Sequence, residues 1–88
     1  MNEVYSQVAV IIPCYREKKT ILEVISRTLE HPVQIYVVDD SCPENTGDFV
    51  LSNCNSERVK VIKHTKNKGV GGAVKTGYQS ALDDGHQI

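Results

Sequence analysis

The chain predicts an α/β fold, a parallel β-sheet with helices on both faces. Three observations point there. Apolar β-rich runs alternate with helical patterns in the order strand, helix, strand, helix, strand, helix. Two of the runs, VAVIIPCY (8–15) and VQIYVVDD (33–40), are almost continuously apolar until they meet polar residues, as expected of strands buried on both faces. Each run also ends in a polar cluster, and parallel sheets bind ligands beyond the carboxyl ends of their strands.

The first run, 8–15, passes through Pro13 and delivers Tyr15, Arg16 and Glu17. The segment 18–31 follows, with Ile21, Leu22, Ile25 and Leu29 on one helical face and Pro32 as the stop. The second run, 33–40, delivers Asp39, Asp40 and Ser41. Residues 43–55 read as a turn and a short helix, and 58–64 alternates as a third strand with one wetter face. NKGVGGAVKTGYQSALDDG (67–85) reads as a glycine-rich turn feeding a helix. Its apolar stripe is Val70, Ala73, Val74, Gly77, Tyr78, Ala81 and Leu82, and Gly77 within it implies close backbone packing. Gly85 is placed to cap that helix, and HQI (86–88) opens a fourth strand. Such an order gives a Rossmann-like sheet whose polar tips converge at one edge.

Composition narrows the function. With 88 residues, 40% hydrophobic and 24% charged, the chain is of ordinary globular type and one small domain at most. Its net charge of -1 gives no electrostatic case for nucleic acid or an anionic membrane. The longest apolar run, Val8–Ile12, is too short to span a bilayer, and MNEVYSQ lacks the features of a signal peptide. Cys14, Cys42 and Cys54 have no C-x-x-C spacing and read as cytosolic thiols. His31, His64 and His86 are scattered and suggest no metal site; no nucleophile elbow or catalytic triad is visible.

The adjacent carboxylates Asp39 and Asp40 pose the main question, because like charges at the mouth of a buried strand repel. A carboxylate there accepts hydrogen bonds from base N–H groups and ribose hydroxyls; equally, it caps the following turn. One aspartate capping and the other binding satisfies both demands. The glycines of 67–72 expose N–H groups at a helix start, suited to a phosphate, or simply allow tight packing. The pattern is neither a dinucleotide fingerprint nor a P-loop. Lys75 could neutralise a diphosphate or be merely solvated, Tyr15 could stack on a base or pack at the rim, and Glu17 could accept ribose hydroxyls or start a helix.

In order and spacing, VAVIIPCYRE, IYVVDDSCPENT and NKGVGGAVKTGY resemble the start of family 2 glycosyltransferases of the GT-A fold. The resemblance is to the polyprenyl-phosphate or dolichyl-phosphate mannose and glucose synthase branch, over about residues 7 to 88. It implies a GDP- or UDP-hexose donor, a divalent metal (Mg or Mn) and a lipid-phosphate acceptor. By the same resemblance Pro13, Tyr15 and Glu17 hold base and ribose, and Asp39 and Asp40 read them, Asp40 serving as the base acceptor. Asn67, Gly69, Gly71 and the helix start through Lys75 match the segment beside the diphosphate. The family often has Asn at Arg16, Ser at Cys42 and Asp at Glu44. Its D-x-D metal motif ends the next strand; Asp83 and Asp84 close a helix and do not match it. The expectation is therefore that residues 1–88 are the nucleotide-sugar-binding part of a truncated glycosyltransferase domain, inactive alone, cytoplasmic or at a membrane surface. Two alternatives remain: a nucleotidyltransferase-like enzyme, disfavoured because PCYREKKT lacks a glycine, and a non-catalytic α/β interaction module. An open sheet edge would also invite dimerisation.

Overall fold

The computed structural model describes residues 8–16 and 18–86. The elements are β1 (Ala9–Cys14), α1 (Lys18–Thr28), β2 (Gln34–Asp39), α2 (Thr46–Asn53), β3 (Val59–Lys63) and α3 (Gly69–Asp83). The three strands form one parallel sheet in the order β1-β2-β3, with Cys14 opposite Asp39 and Asp39 opposite Lys63. Strand alternation sends Val10, Ile12, Cys14, Ile35, Val37, Val59 and Val61 to one face, where Ile21 and Ile25 of α1 and Val50 of α2 pack on them. The other face carries α3, which lies across β1 and β2. The expected helices on both faces are present.

β2 is the central strand, and its residues from Ile35 to Val38 are completely buried. β1 was expected to be buried on both faces but is half-buried from Ala9 to Pro13. The reason is position: it pairs with β2 on one flank only among the described residues. Apolar composition reports what a strand tolerates, whereas burial depends on neighbours the strand does not encode.

α3 departs from its expected stripe in the same way. Ala73, Gly77 and Ala81 face the sheet and are buried, but Val70, Val74, Tyr78 and Leu82 are 72%, 40%, 43% and 44% exposed. The helix sits close on the sheet through small residues, and its larger apolar side chains stay exposed. Gly77 is the contact point: a Cβ there would lie 2.5 Å from Ile11 Cγ2 and 3.2 Å from Val38 Cγ2. The helix starts at Gly69, so Gly71 and Gly72 lie in its first turn and not in a preceding loop. It ends as expected, with Gly85 at φ +91. The Gly85 N–H donates to Leu82 O and the His86 N–H to Ala81 O, each at 3.0 Å, the paired bonds of a Schellman cap.

α1 ends three residues short of the expected 31, and the chain tightens there into turns, Glu30 N–H donating to Arg27 O and His31 N–H to Thr28 O. The Arg58 guanidinium donates to Leu29 O and His31 O, both at 2.8 Å. The expected fourth strand falls mainly on residues 87–88, outside the described residues.

Candidate functional site

The parallel register brings the strand tips together. Beyond Cys14, Asp39 and Lys63 the next residues are Tyr15, Asp40 and His64. The Asp40 N–H donates to Cys14 O at 3.2 Å and the His64 N–H to Asp39 O at 2.9 Å, so the three tips stay in line. The tips of β1 and β2 border a cleft of about 140 Å³ lined by Pro13, Cys14, Tyr15, Asp40, Val70 and Ala73. It holds one carboxylate, one half-exposed phenol ring and otherwise apolar walls, the mix expected of a small-molecule site.

The two aspartates diverge because successive strand residues point to opposite faces. Asp39 turns toward α2. Its Oδ1 accepts from the Cys42 N–H at 2.8 Å and its Oδ2 from the Gly47 N–H at 2.7 Å. It therefore does the capping that Asn45, in the N-cap position, does not. Gly47 is needed for this approach, since a Cβ there would sit 2.9 Å from Asp39 Oδ2.

Asp40 turns toward α3 and the cleft. Its Oδ1 accepts from the Lys68 N–H at 2.8 Å and contacts His64 Nδ1 at 2.8 Å. The other His64 nitrogen, Nε2, lies 2.8 Å from Thr76 Oγ1 of α3. Both members of the Asp40–His64 pair are 5% exposed in their side chains. The bond from His64, then those from the Lys68 and Gly69 N–H groups, hold the Asp40 carboxyl below the usual carboxylate range against the opposing push of burial. The unfolded chain thus binds a proton at Asp40 more readily than the folded one. Its contribution to stability is complete above the unfolded value near pH 4 and is lost as pH falls through the lower folded value. Acid unfolding followed by circular dichroism should accordingly shift toward neutral pH in Asp40→Asn, which keeps the shape but forfeits the charge.

The loops after β1 and β2 are held in the left-handed region. Arg16, Ser41 and Asn45 have φ of 62, 60 and 52. Side chains with a Cβ adopt this region reluctantly, Asn least so. Cys42 ties the two loops: its Sγ accepts from the Arg16 N–H at 2.9 Å and the Glu44 N–H at 3.4 Å, and lies 3.2 Å from Thr46 Oγ1. Burial pushes the Cys42 thiol up, but the bonds from Thr46, Arg16 and Glu44 together bring it below its ordinary value. A serine hydroxyl would accept the same bonds. Cys42→Ser should therefore stay close to the parent in urea unfolding, whereas Cys42→Ala should lose about 1–2 kcal/mol by stranding the Arg16 donor.

The remaining candidates are distributed around this centre. Asn67 Oδ1 accepts from the Gly69 N–H at 2.9 Å, an Asx turn that leads into α3, and Gly69 carries φ +80. Gly71 is exposed in the first turn with open space beside it. Lys75 lies on the opposite flank of α3 from Tyr15, in a groove of about 740 Å³ shared with Lys60, Lys68 and Thr76. Glu17 lies outside the described residues. Sequence reasoning missed His64 and Thr76, having weighed the histidines only as metal ligands. The usable signal was position: His64 directly follows β3, one residue beyond the partner of Asp39.

The divalent metal implied by the resemblance does not fit these residues. Among the described residues no three His, Cys, Asp or Glu side chains are grouped to hold an ion. Both Asp39 oxygens are committed to N–H donors, and Asp40 is held by His64 and Lys68. Among the described residues, no helix is long and apolar enough to cross a membrane.

A family model described as glycosyl transferase family 2 matches residues 9–85. Curated relatives agree. The chain is 37% identical over 83 residues to a dolichol-phosphate mannosyltransferase of Pyrococcus furiosus, covering 89% of this chain and 23% of the relative. It is 35% identical over 92 residues to a UDP-N-acetylglucosamine–dolichyl-phosphate N-acetylglucosaminyltransferase of Methanococcus voltae, covering 89% of this chain and 37% of the relative. It is 33% identical over 84 residues to a polyprenol monophosphomannose synthase of Mycolicibacterium smegmatis, covering 90% and 31%. The chain thus spans between 23% and 37% of the length of these relatives. No solved structure matches it significantly. Three parallel strands with their tips aligned, helices on both faces and a match across 9–85 lead to one assignment: the chain belongs to glycosyl transferase family 2.

Proposed function

We propose that residues 1–88 supply the donor-nucleotide cradle of a glycosyltransferase that moves a hexosyl unit from a nucleotide sugar to a polyprenyl phosphate. The observation that carries the reading is Asp40. It is a carboxylate fixed at a strand tip, on the wall of an otherwise apolar cleft, with the Tyr15 ring beside it. A fixed acceptor of that kind suits a base N–H, and the ring suits its π-face. Asp39 supports the site indirectly, since its oxygens hold α2 and the following loop. The chain's match to relatives named for dolichyl-phosphate and polyprenol substrates supports the acceptor class. Sugar, metal and acceptor chemistry fall to groups other than those described here, so this region alone binds nucleotide without transferring sugar.

Isothermal titration with UDP and GDP tests the reading. Either nucleotide should bind, and Tyr15→Ala should weaken binding about tenfold, as expected for loss of one stacked ring. No heat with either nucleotide would refute it.

A second reading has one observation in its favour. Val70, Val74, Tyr78 and Leu82, spaced at helical repeat along α3, form an exposed apolar ridge of the kind an interaction module would require. Concentration-dependent elution in size exclusion would support self-association through this ridge, and a constant monomer would remove the homodimer.

A further inference from the structure

The proposed nucleotide site leaves the choice of base open, and the partners of Asp40 bear on it. Asp40 Oδ1 already serves the Lys68 N–H and His64 Nδ1, each at 2.8 Å. Two donors fill the usual capacity of one carboxylate oxygen. The Gly69 N–H, which also contributes to Asp40, is bonded to Asn67 Oδ1. The imidazole cannot swing away, because its far nitrogen meets Thr76 Oγ1 on α3 and its side chain is 5% exposed. Asp40 can therefore offer the cleft one oxygen, Oδ2, in one orientation.

A carboxylate with one oxygen to give matches a ring edge that presents one donor. Uracil has a single N3–H between two carbonyl acceptors. Guanine presents N1–H and the exocyclic amino group side by side and is best met by both oxygens of a carboxylate. Cytosine carries no proton on N3 and would face the carboxylate with a lone pair. Resting on the nucleotide-site reading above, we infer that His64, anchored by Thr76, is a positioning residue that holds Asp40 as a one-oxygen acceptor and so selects a uridine diphosphate over a guanosine diphosphate donor. In this role the Nδ1–H of His64 donates to Asp40, and Nε2 pairs with the Thr76 hydroxyl.

The test is calorimetric titration of the folded chain and its variants with UDP, GDP and CDP. The parent should bind UDP at least about tenfold more tightly than GDP, with CDP weakest. His64→Ala frees the carboxylate to rotate and should bring the UDP-to-GDP ratio to within about threefold of unity. A purely structural role for His64 would weaken both nucleotides alike and leave the ratio unmoved. His64→Asn, whose amide N–H can replace Nδ1–H, should restore the preference. Thr76→Val keeps the imidazole but unanchors it and should lower the ratio in the same direction, which preserves the test if His64→Ala does not fold. GDP binding as tightly as UDP in the parent, or a ratio unchanged in both the His64 and Thr76 variants, would overturn the inference while leaving the nucleotide site standing. Binding of none of the three would remove the site itself, and the inference with it.

Discussion

Replacing Asp40 by alanine should abolish measurable nucleotide binding and destabilise the fold in one step. The carboxylate accepts from a backbone N–H at the start of α3 and from the His64 ring at the end of β3. Truncation strands both donors, the one on His64 in a side chain that is 5% exposed. Each stranded buried donor costs about 1–3 kcal/mol, a large share of the stability of a chain this small. Asp39→Ala supplies the contrast. It strands the Cys42 and Gly47 N–H groups on the other face, so its stability loss should be comparable. Its cleft wall, however, keeps the Asp40 oxygen, and most of the nucleotide affinity should survive. Urea unfolding together with calorimetric titration separates the two; equal loss of affinity in both variants would mean that Asp40 has no special place.

Gly77→Val is the largest effect expected away from the cleft. The Cβ that any other residue brings would meet Ile11 Cγ2 at 2.5 Å, far inside ordinary contact. That methyl belongs to a β-branched side chain on a strand, so it cannot turn aside without leaving its rotamer. Overpacking of this kind costs about 1–3 kcal/mol. For Gly77→Ala the gain in helix propensity, about 1 kcal/mol, offsets part of that. Valine brings two further methyls and less helix propensity. In thermal denaturation the melting temperature should fall about 4–8 °C per kcal/mol lost for a chain of this size. Alanine should fall less than valine, and a valine variant as stable as the parent would contradict the observed seating of α3.

Element order was legible because it is written in local pattern. The runs 8–15, 33–40 and 58–64 and the helical stripes between them appear where expected, shifted by a few residues at their ends. Burial was less legible, because it depends on partners. The half-exposure of β1 and the exposure of Val70, Val74, Tyr78 and Leu82 depend on what lies against them, which no local periodicity records. The division of labour between the aspartates was half visible. Alternation requires Asp39 and Asp40 to face opposite ways, but that Asp39 would meet α2 follows from which face the short helix covers. His64 was opaque, since its meaning arises from a contact 24 residues distant in sequence. Lys75 illustrates the opposite error of proximity. It stands about one and two-thirds turns from Gly69 and yet faces the β3 flank, because helical rotation carries it away from the cleft.

The most direct measurement is a ¹⁵N–¹H correlation spectrum of the chain recorded as a uridine or guanosine diphosphate is added. Saturable shifts should concentrate on the amides of Tyr15, Asp40, Ser41, Lys68 and Gly69, around the aligned strand tips. Shifts confined to the groove between Lys60 and Lys75, or scattered toward the amino ends of the strands near Val33 and Val59, would contradict the account.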